Sequence, residues 1–443
     1  MKIIVIGGGA AGMSAASKAK RENPDAEVIV YEKDKYFSFG LCGIPYYVAG
    51  KVSHLEDLIA LKPEQISKRG IEALPFHNVL EIYPHKKYIK VRDIKSSEVV
   101  EEHFDRLIIA SGSEAIKLEG FTGDGIFYLH TLDDGYRLRE FIASENPKTA
   151  CIVGGGYIGL EMADALNSLG IKVRVIEKMD HILPNFDIDM VEIAESRLLD
   201  SGVEIMTGTS VEGVETSPAG KRVYTENNHI DCDFVIVSAG VKPSSELAKK
   251  SKIPLGKFGG VLTNNKMETD QFGIFAAGDC IEVKHILTRK NVYIPLGTTA
   301  NKTGRIAGEN AAGGNDNFSG IAGTGIFRSI GFDMSVTGLT ERWAKGEGLN
   351  AISSTITGLN KAHYMPDKEK LTIKLVFDKN KGKIFGAQMI GRGVERINVI
   401  AAAIQGNFTI EDIRRIDFAY SPPFATVWDA LLISANRAIK EVV

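Results

Sequence analysis

Short apolar runs rich in β-branched residues recur along the chain, and two of them lead directly into glycine-rich loops. Residues 2–6 ("KIIVI") are followed by "GGGAAG", and residues 149–153 ("TACIV") are followed by "GGGYIG". After each loop comes a helical segment with small residues and then a second apolar run, at 27–31 and at 172–176. Strands that alternate with helices in this way predict parallel sheets. The pattern therefore predicts two α/β units of the same kind.

The rest of the chain has a different pattern. A β-rich stretch over about 71–110 ends in "DRLIIASGS", and a similar sequence, "DFVIVSAGVKP", follows the second unit. From about residue 320, alternating strand-like runs precede two helical segments, 393–406 and 410–416, and an amphipathic run at 426–440. This change in the pattern of apolar and polar residues predicts a third domain of α+β type.

Composition excludes several classes of protein. A net charge of -3 gives no sign of a nucleic-acid binder or of a protein held to membranes by charge. No apolar run reaches the ~20 residues that span a bilayer. The N-terminus has the features of a signal peptide, but a β-branched strand that enters a glycine loop better describes a nucleotide-binding turn. We therefore expect a cytoplasmic protein without nucleic-acid or membrane partners.

The two glycine loops have the spacing of dinucleotide-binding loops. The first contains Gly7, Gly9 and Gly12, and Glu32 ends the strand that follows. Glycines permit a tight turn and close approach of a pyrophosphate, the next helix offers amide donors, and the acid binds ribose hydroxyls. The second loop contains Gly154, Gly156 and Gly159, with Glu177 after it. Glu177 favours NADH over NADPH, although the neighbouring Lys178 is able to accept a 2'-phosphate.

The stretches "GGGAAG", "DRLIIASGS", "GGGYIGLE" and "TDQFGIFAAGD" together resemble the pyridine nucleotide–disulfide oxidoreductase family, in the same order and over nearly the whole chain. The resemblance implies two Rossmann-like domains, for FAD and for NAD(P)H, and a C-terminal α+β dimerisation domain. The implied limits are 1–111 with 244–319 for the FAD domain, 112–243 for the NAD(P)H domain and 320–443 for the dimerisation domain.

The resemblance also implies binding residues for both cofactors. For FAD they are Gly7, Gly9, Ala10, Ala11, Gly12, Glu32, Lys33, Ser111, Gly112, Asp279, Thr298 and Thr299. For NAD(P)H they are Gly154, Gly156, Tyr157, Ile158, Gly159, Glu161, Glu177, Lys178 and Gly240. Tyr157 is expected to gate the nicotinamide pocket. The stretch that holds Thr298 and Thr299 also reads as a small-residue helix packed on a sheet, and the two interpretations are compatible.

The chain has four cysteines, and none has a second cysteine at C-x-x-C or C-x4-C spacing. The lack of this spacing excludes a disulfide framework and a zinc site. The nine histidines show no metal-ligand spacing either, so we expect no metal. Cys151, Cys232 and Cys280 lie in apolar or tightly turned segments that favour buried, inert thiols. In the family, the segment of Cys42 opens a helix that brings sulfur to the flavin, which would lower the pKa of the thiol. The alternative for Cys42 is a buried structural cysteine.

A lone redox cysteine must store its oxidised state as a sulfenic acid or as a mixed disulfide with a small thiol. Family members with one cysteine divide in the same way, into peroxidase and oxidase types and coenzyme A-disulfide reductases. Peroxidase-type relatives have a histidine where this chain has Ala10, which argues against efficient peroxide chemistry.

Two tyrosines and a set of polar residues resemble those of coenzyme A-disulfide reductases. Tyr364 ("KAHYMPD") and Tyr420 ("FAYSPPF") correspond to a pair that reaches the partner's cysteine across the dimer interface, although ordinary core or interface tyrosines are the alternative. Met365 and Trp428 depart from the family pattern of a second tyrosine and a lysine. The implied CoA contacts are Ser14, Lys18, Arg21, Ser38 and Asn301.

The sequence thus predicts a homodimeric FAD-dependent NAD(P)H oxidoreductase that reduces coenzyme A disulfide through a Cys42–CoA mixed disulfide. An NAD(P)H oxidase that reduces oxygen and a reductase of sulfur or polysulfide remain alternatives with the same residues. A flavoprotein that passes electrons to a redox protein is a further alternative, and it would not need Cys42.

Overall fold

The computed structural model describes residues 1–217 and 220–443. Its first sheet is parallel, and Ile3, Ile4 and Val5 of its central strand are fully buried. In spatial order its strands are Ile274–Ala276, Arg106–Ile109, Lys2–Ile6, Glu27–Tyr31 and Ile71–Leu74. The strands predicted at 2–6 and 27–31 are therefore confirmed.

The second sheet repeats this arrangement and is also parallel. Its strands, in spatial order, are Glu204–Met206, Lys172–Ile176, Thr149–Val153, Phe234–Val237 and Ile126–Tyr128. The strands predicted at 149–153 and 172–176 are confirmed. In both sheets the first strand of the unit lies centrally and ends at a glycine loop, so the two loops occupy equivalent places.

The third sheet is antiparallel and belongs to the C-terminal part of the chain. Its strands, in spatial order, are Gly325–Ser329, Phe332–Gly338, Ile384–Gly391, Lys370–Asp378 and Ala351–Leu359. The neighbouring strands Ile384–Gly391 and Lys370–Asp378 are buried on both faces. The change of texture predicted near residue 320 corresponds to this sheet.

Smaller antiparallel sheets extend the parallel ones. Their strands are His77–Tyr83, Tyr88–Asp93 and Val99–His103; Val211–Ser217, Gly220–Thr225 and His229–Cys232; Ser113–Ala115 and Val241–Pro243; and Val283–Lys284 and Asn291–Val292. The β-rich stretch predicted over 71–110 contains the first of these sheets. The domain limits given above stay predictions.

The helices pack on both faces of the parallel sheets and on the third sheet. Within the described residues the α-helices, numbered α1 to α12 in chain order, are Ala10–Glu22, Ile44–Val48, Pro63–Ser67, Leu132–Glu145, Tyr157–Ser168, Ile188–Asp200, Glu246–Lys250, Gly297–Ala311, Glu341–Gly346, Ile397–Gln405, Ile410–Arg414 and Ala430–Ala438. Short 3-10 helices are Leu41–Gly43, Leu55–Leu58, Pro84–Lys86, Val394–Arg396 and Ile439–Glu441. In this part of the chain, no helix combines the length and apolar character that a membrane crossing requires.

The amphipathic run predicted at 426–440 begins later than expected. Asp429 accepts a hydrogen bond from Leu431 N at 2.9 Å and so caps the helix that starts at Ala430. The helix predicted over 393–406 also starts late, because Gly393 has φ 94° and a 3-10 turn precedes Ile397. In both cases the first residues that the hydrophobic pattern assigned to a helix lie before its observed start.

Helices α1 and α8 lie in close contact beside the first sheet. A Cβ atom added at Gly304 would collide with the Ala11 carbonyl oxygen, and one added at Gly308 would collide with the Ala15 carbonyl oxygen. The absence of side chains at these two positions therefore allows the helices to approach. This contact fixes the N-terminus of α8 relative to the first glycine loop.

We expect Gly304→Ala to lower the free energy of unfolding by about 1–3 kcal/mol, because the added methyl group forces the two backbones apart. The measurement is the thermal midpoint of unfolding. Gly346→Ala is the matched control, since that helical glycine has open space around it. Equal midpoints for the two variants would contradict the close approach.

Candidate active site

The first glycine loop presents bare backbone to a large cavity. Gly7 has φ 103° and lies against the Ala110 carbonyl, where a Cβ atom would collide, while no atom of the described residues lies within 4 Å of the position of a Cβ at Gly9. The loop is thus packed on one side and open on the other. An open backbone at the start of α1 fits a pyrophosphate group.

Glu32 holds this loop in place. Its side chain is 8% exposed, Oε2 accepts a hydrogen bond from Gly8 N at 2.6 Å, and Oε1 accepts one from Asp34 N at 2.9 Å. Burial raises the pKa of Glu32, and the two amides oppose that shift. Each carboxylate oxygen keeps further acceptor capacity, which suits ribose hydroxyl groups.

The second glycine loop is built in the same way. Glu177 Oε2 accepts a hydrogen bond from Gly155 N at 2.7 Å, and Oε1 accepts one from Met179 N at 2.9 Å. Lys178 is exposed beside it. The predicted roles of Glu177 in binding ribose and of Lys178 in accepting a phosphate stay predictions.

After each acid, the chain returns to its glycine loop by the same route. Ser38 N donates to Gly8 O at 2.8 Å, and Leu183 N donates to Gly155 O at 3.0 Å. Each of these residues lies six positions after its acid and has a positive φ, 48° and 51° respectively. The first returning segment carries Cys42, and the second carries Asn185.

One cavity of about 1330 Å³ joins the two loops. Ligand pockets usually have about 300–1,000 Å³, so this volume suits more than one ligand. The predicted residues that line it are Gly7, Gly9, Ala10, Ala11, Glu32, Lys33, Cys42, Ser111, Gly112, Gly156, Tyr157, Ile158, Glu161, Gly240, Asp279 and Asn301. The predicted residues outside its lining are Gly12, Ser14, Lys18, Arg21, Ser38, Gly154, Gly159, Glu177, Lys178, Thr298, Thr299, Tyr364 and Tyr420.

The side of the cavity next to α8 has the polar groups expected of a flavin site. The buried Tyr293 hydroxyl has no hydrogen-bond partner among the described residues, and it lines the cavity with Asp279. Burial raises the pKa of both groups. Leu296 and Gly297 bring the N-terminus of α8 to the same wall, where a helix favours an electron-rich ligand. Sequence reasoning missed Tyr293, because it belongs to no motif.

Cys42 opens into this cavity from a 3-10 turn, Leu41–Gly43, which precedes the five-residue helix α2. Cys151, Cys232 and Cys280 are buried, as expected. The expected lowering of the thiol pKa includes the effect of a bound flavin and stays a prediction, but the protein's own groups act in the opposite direction. The surrounding protein raises the pKa of Cys42 through burial, and the carboxylate of Glu161 raises it further. A backbone hydrogen bond at Cys42 lowers the pKa by less than either effect.

Glu161 is the carboxyl group that faces this thiol. Burial, with a smaller contribution from Asp164, raises its pKa to about 7. Tyr157 lies near it in the cavity wall, and burial raises the pKa of this phenol to about 12. Near neutral pH the cavity therefore holds a carboxyl group that takes up and releases a proton and a phenol that stays protonated.

The predicted CoA contacts are only partly brought together. Ser14 Oγ donates to Asn301 Oδ1 at 2.6 Å across the contact of α1 with α8. Lys18 forms ion pairs with Glu22 at 2.9 Å and Glu309 at 2.8 Å, so its charge is already shared by two carboxylates. Arg21 is exposed one turn further along α1, and Ser38 lies in the segment before Cys42.

Tyr364 and Tyr420 lie together on the surface of the C-terminal domain, with their hydroxyl oxygens 3.4 Å apart. Their exposed fractions are 60% and 45%, and the contact with Tyr364 raises the pKa of Tyr420. Tyrosines of a hydrophobic core would be buried. The exposure of both phenols therefore argues against the alternative that they are ordinary core residues.

Arg396 joins the two loops that carry these tyrosines. It donates from Nη2 to the carbonyl oxygens of Asn360 at 3.2 Å and Phe424 at 3.1 Å, and from Nε to Asp429 at 2.9 Å. Sequence reasoning missed Arg396, because its partners lie about 30 residues away on either side.

Comparison with known proteins assigns the chain to a family. The model of the pyridine nucleotide-disulphide oxidoreductases matches residues 1–304, and that of their dimerisation domain matches residues 329–431. The chain is 36% identical to the "NAD(P)H sulfur oxidoreductase (CoA-dependent)" of Pyrococcus abyssi over 98% of this chain and 97% of the relative. It is 33% identical to the "NADH oxidase" of Methanocaldococcus jannaschii over 100% and 99%.

A solved structure, "reduced Bacillus anthracis CoADR-RHD", superposes with a TM-score of 0.96 at 31% identity and covers 100% of this chain and 80% of that one. The chain belongs to the pyridine nucleotide-disulphide oxidoreductase family, whose members are flavin-dependent NAD(P)H oxidoreductases. The predicted family, fold class and enzyme class are confirmed.

We expect Glu161→Gln to lower the pKa of Cys42, because it removes a carboxylate that disfavours the thiolate. The measurement is the pH dependence of Cys42 alkylation by iodoacetamide in the reduced protein. The gain in rate should appear above about pH 7, where Glu161 is ionised, and fade below it, where the native carboxyl is already neutral. Glu140→Gln, at an exposed position of α4, is the control. Identical profiles for both variants would contradict the electrostatic coupling.

Proposed function

We propose that the chain is an NAD(P)H-dependent coenzyme A-disulfide reductase that works through a mixed disulfide between Cys42 and coenzyme A. The observation that carries this proposal is the isolation of one accessible thiol. Cys42 opens into the cavity that joins both glycine loops, whereas the other three cysteines are buried. A mixed disulfide with a small thiol is one of the two ways in which a thiol without a second cysteine stores its oxidised state, and coenzyme A is such a small thiol.

The binding of FAD is assigned to the first glycine loop, Glu32, Asp279, Tyr293 and the N-terminus of α8. A flavin bound there supplies the relay of two electrons from the nicotinamide cofactor to a disulfide. NADH is assigned to the second loop, with Glu177 at its ribose, and Tyr157 and Glu161 in the nicotinamide pocket. In each loop a glutamate accepts a hydrogen bond from a glycine amide, and another glycine has open space beside its backbone; both features support the assignments.

The chain's own residues carry the thiol steps. The Cys42 thiolate attacks one sulfur of coenzyme A disulfide, so that a Cys42–CoA disulfide forms and one CoA thiolate leaves. That thiolate takes a proton from a phenol or from water. Two electrons from NADH then cleave the mixed disulfide, which releases the second CoA and restores the thiolate. Each cycle consumes one NADH, one proton and one coenzyme A disulfide, and it yields NAD⁺ and two molecules of coenzyme A thiol.

Coenzyme A is placed along the contact of α1 with α8. Ser14, Asn301, Arg21 and Ser38 offer hydroxyl, amide and guanidinium groups; Asn301 lines the cavity, and Ser14 donates a hydrogen bond to Asn301. Lys18 is less available because Glu22 and Glu309 hold its ammonium group. Arg21 is therefore the first candidate to bind a CoA phosphate.

The chain has a dimerisation domain, and we propose that it forms a homodimer whose active sites are shared. Tyr364 and Tyr420 are exposed and lie outside the cavity of their own chain. Exposed apolar side chains lie along the same stretch, at Phe424, Val427 and Trp428. A partner subunit that covers this surface would receive the two phenols at its own Cys42, where they protonate the leaving CoA thiolate.

Two alternatives use the same residues with other acceptors. The relative named an NADH oxidase supports oxygen reduction, and the relative named a sulfur oxidoreductase supports a persulfide on Cys42. Ala10 lines the cavity where peroxidase-type members have a histidine, which disfavours a stabilised sulfenic acid. The state of Cys42 therefore separates the three functions.

We expect freshly purified protein to carry one adduct with the mass of coenzyme A, removed by dithiothreitol and absent from Cys42→Ser. The measurement is intact mass spectrometry. Cys280→Ser is the matched control, because this buried thiol should not carry the adduct. A gain of oxygen atoms on Cys42 would favour the oxidase, and a gain of sulfur atoms would favour the polysulfide reductase. Full disulfide turnover by Cys42→Ser would favour a carrier of electrons to a redox protein.

We expect the double variant Tyr364→Phe, Tyr420→Phe to lower the rate of coenzyme A disulfide reduction by roughly 10²-fold, a value typical of the loss of a general acid. Reduction of the flavin by NADH should keep its rate, since the phenols act on the thiol steps. Steady-state turnover and stopped-flow absorbance measure the two steps. Tyr136→Phe, at an exposed tyrosine of α4, is the control. Unchanged turnover in the double variant would remove the tyrosines from the mechanism.

A further inference from the structure

The segment between strand Lys172–Ile176 and helix α6 ends at a buried carboxylate. Asp187 is 7% exposed and accepts hydrogen bonds from Gln388 Nε2 at 2.6 Å and from Glu341 N at 3.0 Å. It also forms an ion pair with Lys374 at 3.2 Å, whose side chain is 5% exposed. Gln388, Glu341 and Lys374 all belong to the C-terminal domain. The segment is therefore fastened to the third sheet.

Gln388 binds both the side chain and the backbone of Asp187. Its Oε1 accepts a hydrogen bond from Asp187 N at 2.8 Å, while its Nε2 donates to the carboxylate. Gln388 is fully buried, so neither end of its amide has water as an alternative partner. Two such bonds fix the position and the direction of the backbone at Asp187.

The same segment supplies part of the wall of the cavity near Tyr157. Asn185 Nδ2 donates to the Tyr157 hydroxyl at 2.5 Å, and Arg342 Nη2 donates to the Pro184 carbonyl at 2.7 Å. The Tyr157 ring packs on Phe327 of the third sheet, with centroids 4.8 Å apart. The contacts of Tyr157 thus come from the fastened segment and from the domain that fastens it.

The internal repeat gives Asp187 a defined place. It follows Glu177 by ten residues, as Cys42 follows Glu32 by ten residues, and both segments return to their glycine loops at the same point. In the first unit this position carries the redox thiol. In the second unit it carries the carboxylate that Gln388 holds.

We propose that Gln388 is a positioning residue for the nicotinamide cofactor. Through Asp187 it holds Asn185, and through Asn185 it sets the place of the Tyr157 ring in the pocket. The inference rests on the proposed role of Tyr157 and goes beyond it, because Gln388 lies outside the cavity lining and in a different domain from the cofactor loop. Its loss should weaken cofactor binding without changing the thiol steps.

The test uses Gln388→Leu in the FAD-loaded protein. We expect the dissociation constant of NAD⁺, measured by calorimetry, to rise roughly tenfold, the change expected for one lost hydrogen bond to a charged group. The NADH concentration for half-maximal flavin reduction should rise by a similar factor, while the limiting rate and the flavin content stay the same. Lys374→Met, which keeps the amide bonds, should shift the constant in the same direction by less.

Ser335→Ala is the matched control. Ser335 is fully buried in the same sheet and donates to Val394 O at 2.9 Å, away from the segment of Asp187. It should lower the thermal midpoint without changing the dissociation constant of NAD⁺. If Gln388→Leu behaves like Ser335→Ala, Gln388 serves only the stability of the sheet and the inference is wrong. If Gln388→Leu does not fold, an unchanged dissociation constant in Asn185→Ala overturns the inference instead, because the route to Tyr157 runs through Asn185.

A double-mutant cycle that combines Gln388→Leu with Asn185→Ala tests whether Gln388 acts on Tyr157 through Asn185. Asn185 is exposed, so its substitution should leave the fold intact. Effects on the dissociation constant that fall short of additivity support a shared route through Asn185, and full additivity overturns it. The proposed disulfide chemistry is judged separately, because NAD⁺ binding and flavin reduction by NADH do not depend on the acceptor.

Discussion

A buried glutamate that accepts hydrogen bonds from a glycine loop organises the first half of the cofactor cavity, and a second glutamate does the same in the other half. Gly8 N and Gly155 N would be unpaired at the end of a buried strand, and Glu32 and Glu177 satisfy them. The carbonyl oxygens of the same glycines then accept a hydrogen bond from the segment that returns after the acid. The shape of the loop and the place of the returning segment therefore depend on one side chain in each unit.

The accessible thiol of Cys42 lies in an electrostatic environment that opposes its charged form. Burial and the carboxylate of Glu161 both raise the pKa of Cys42, and a backbone hydrogen bond at Cys42 lowers it by less. Because the thiolate is the reactive form of a cysteine, these effects of the surrounding protein oppose the reactivity of the thiol.

The sequence was most informative where a local pattern determines the structure. The strands at 2–6, 27–31, 149–153 and 172–176 have the predicted bounds because β-branched residues and the glycines after them act over a few positions. Contacts between residues far apart in the chain could not be predicted from the sequence. Gln388 and Asp187 are 201 residues apart, and neither belongs to a motif. The effects that raise the pKa of Cys42 were also missed, because burial and the approach of Glu161 arise only from the folded cavity.

The repeat also explains why the C-terminal domain matters to both halves of the site. At the position ten residues after the acid, one unit carries Cys42 and the other carries Asp187. The third sheet holds Asp187 within its own chain through Gln388, and in the proposed dimer the tyrosines of the same domain meet the partner's Cys42. Since Arg396 fastens the tyrosine loops and Gln388 fastens the segment of Asp187, contacts of the C-terminal domain hold both the exposed tyrosine pair and the cavity wall near Tyr157.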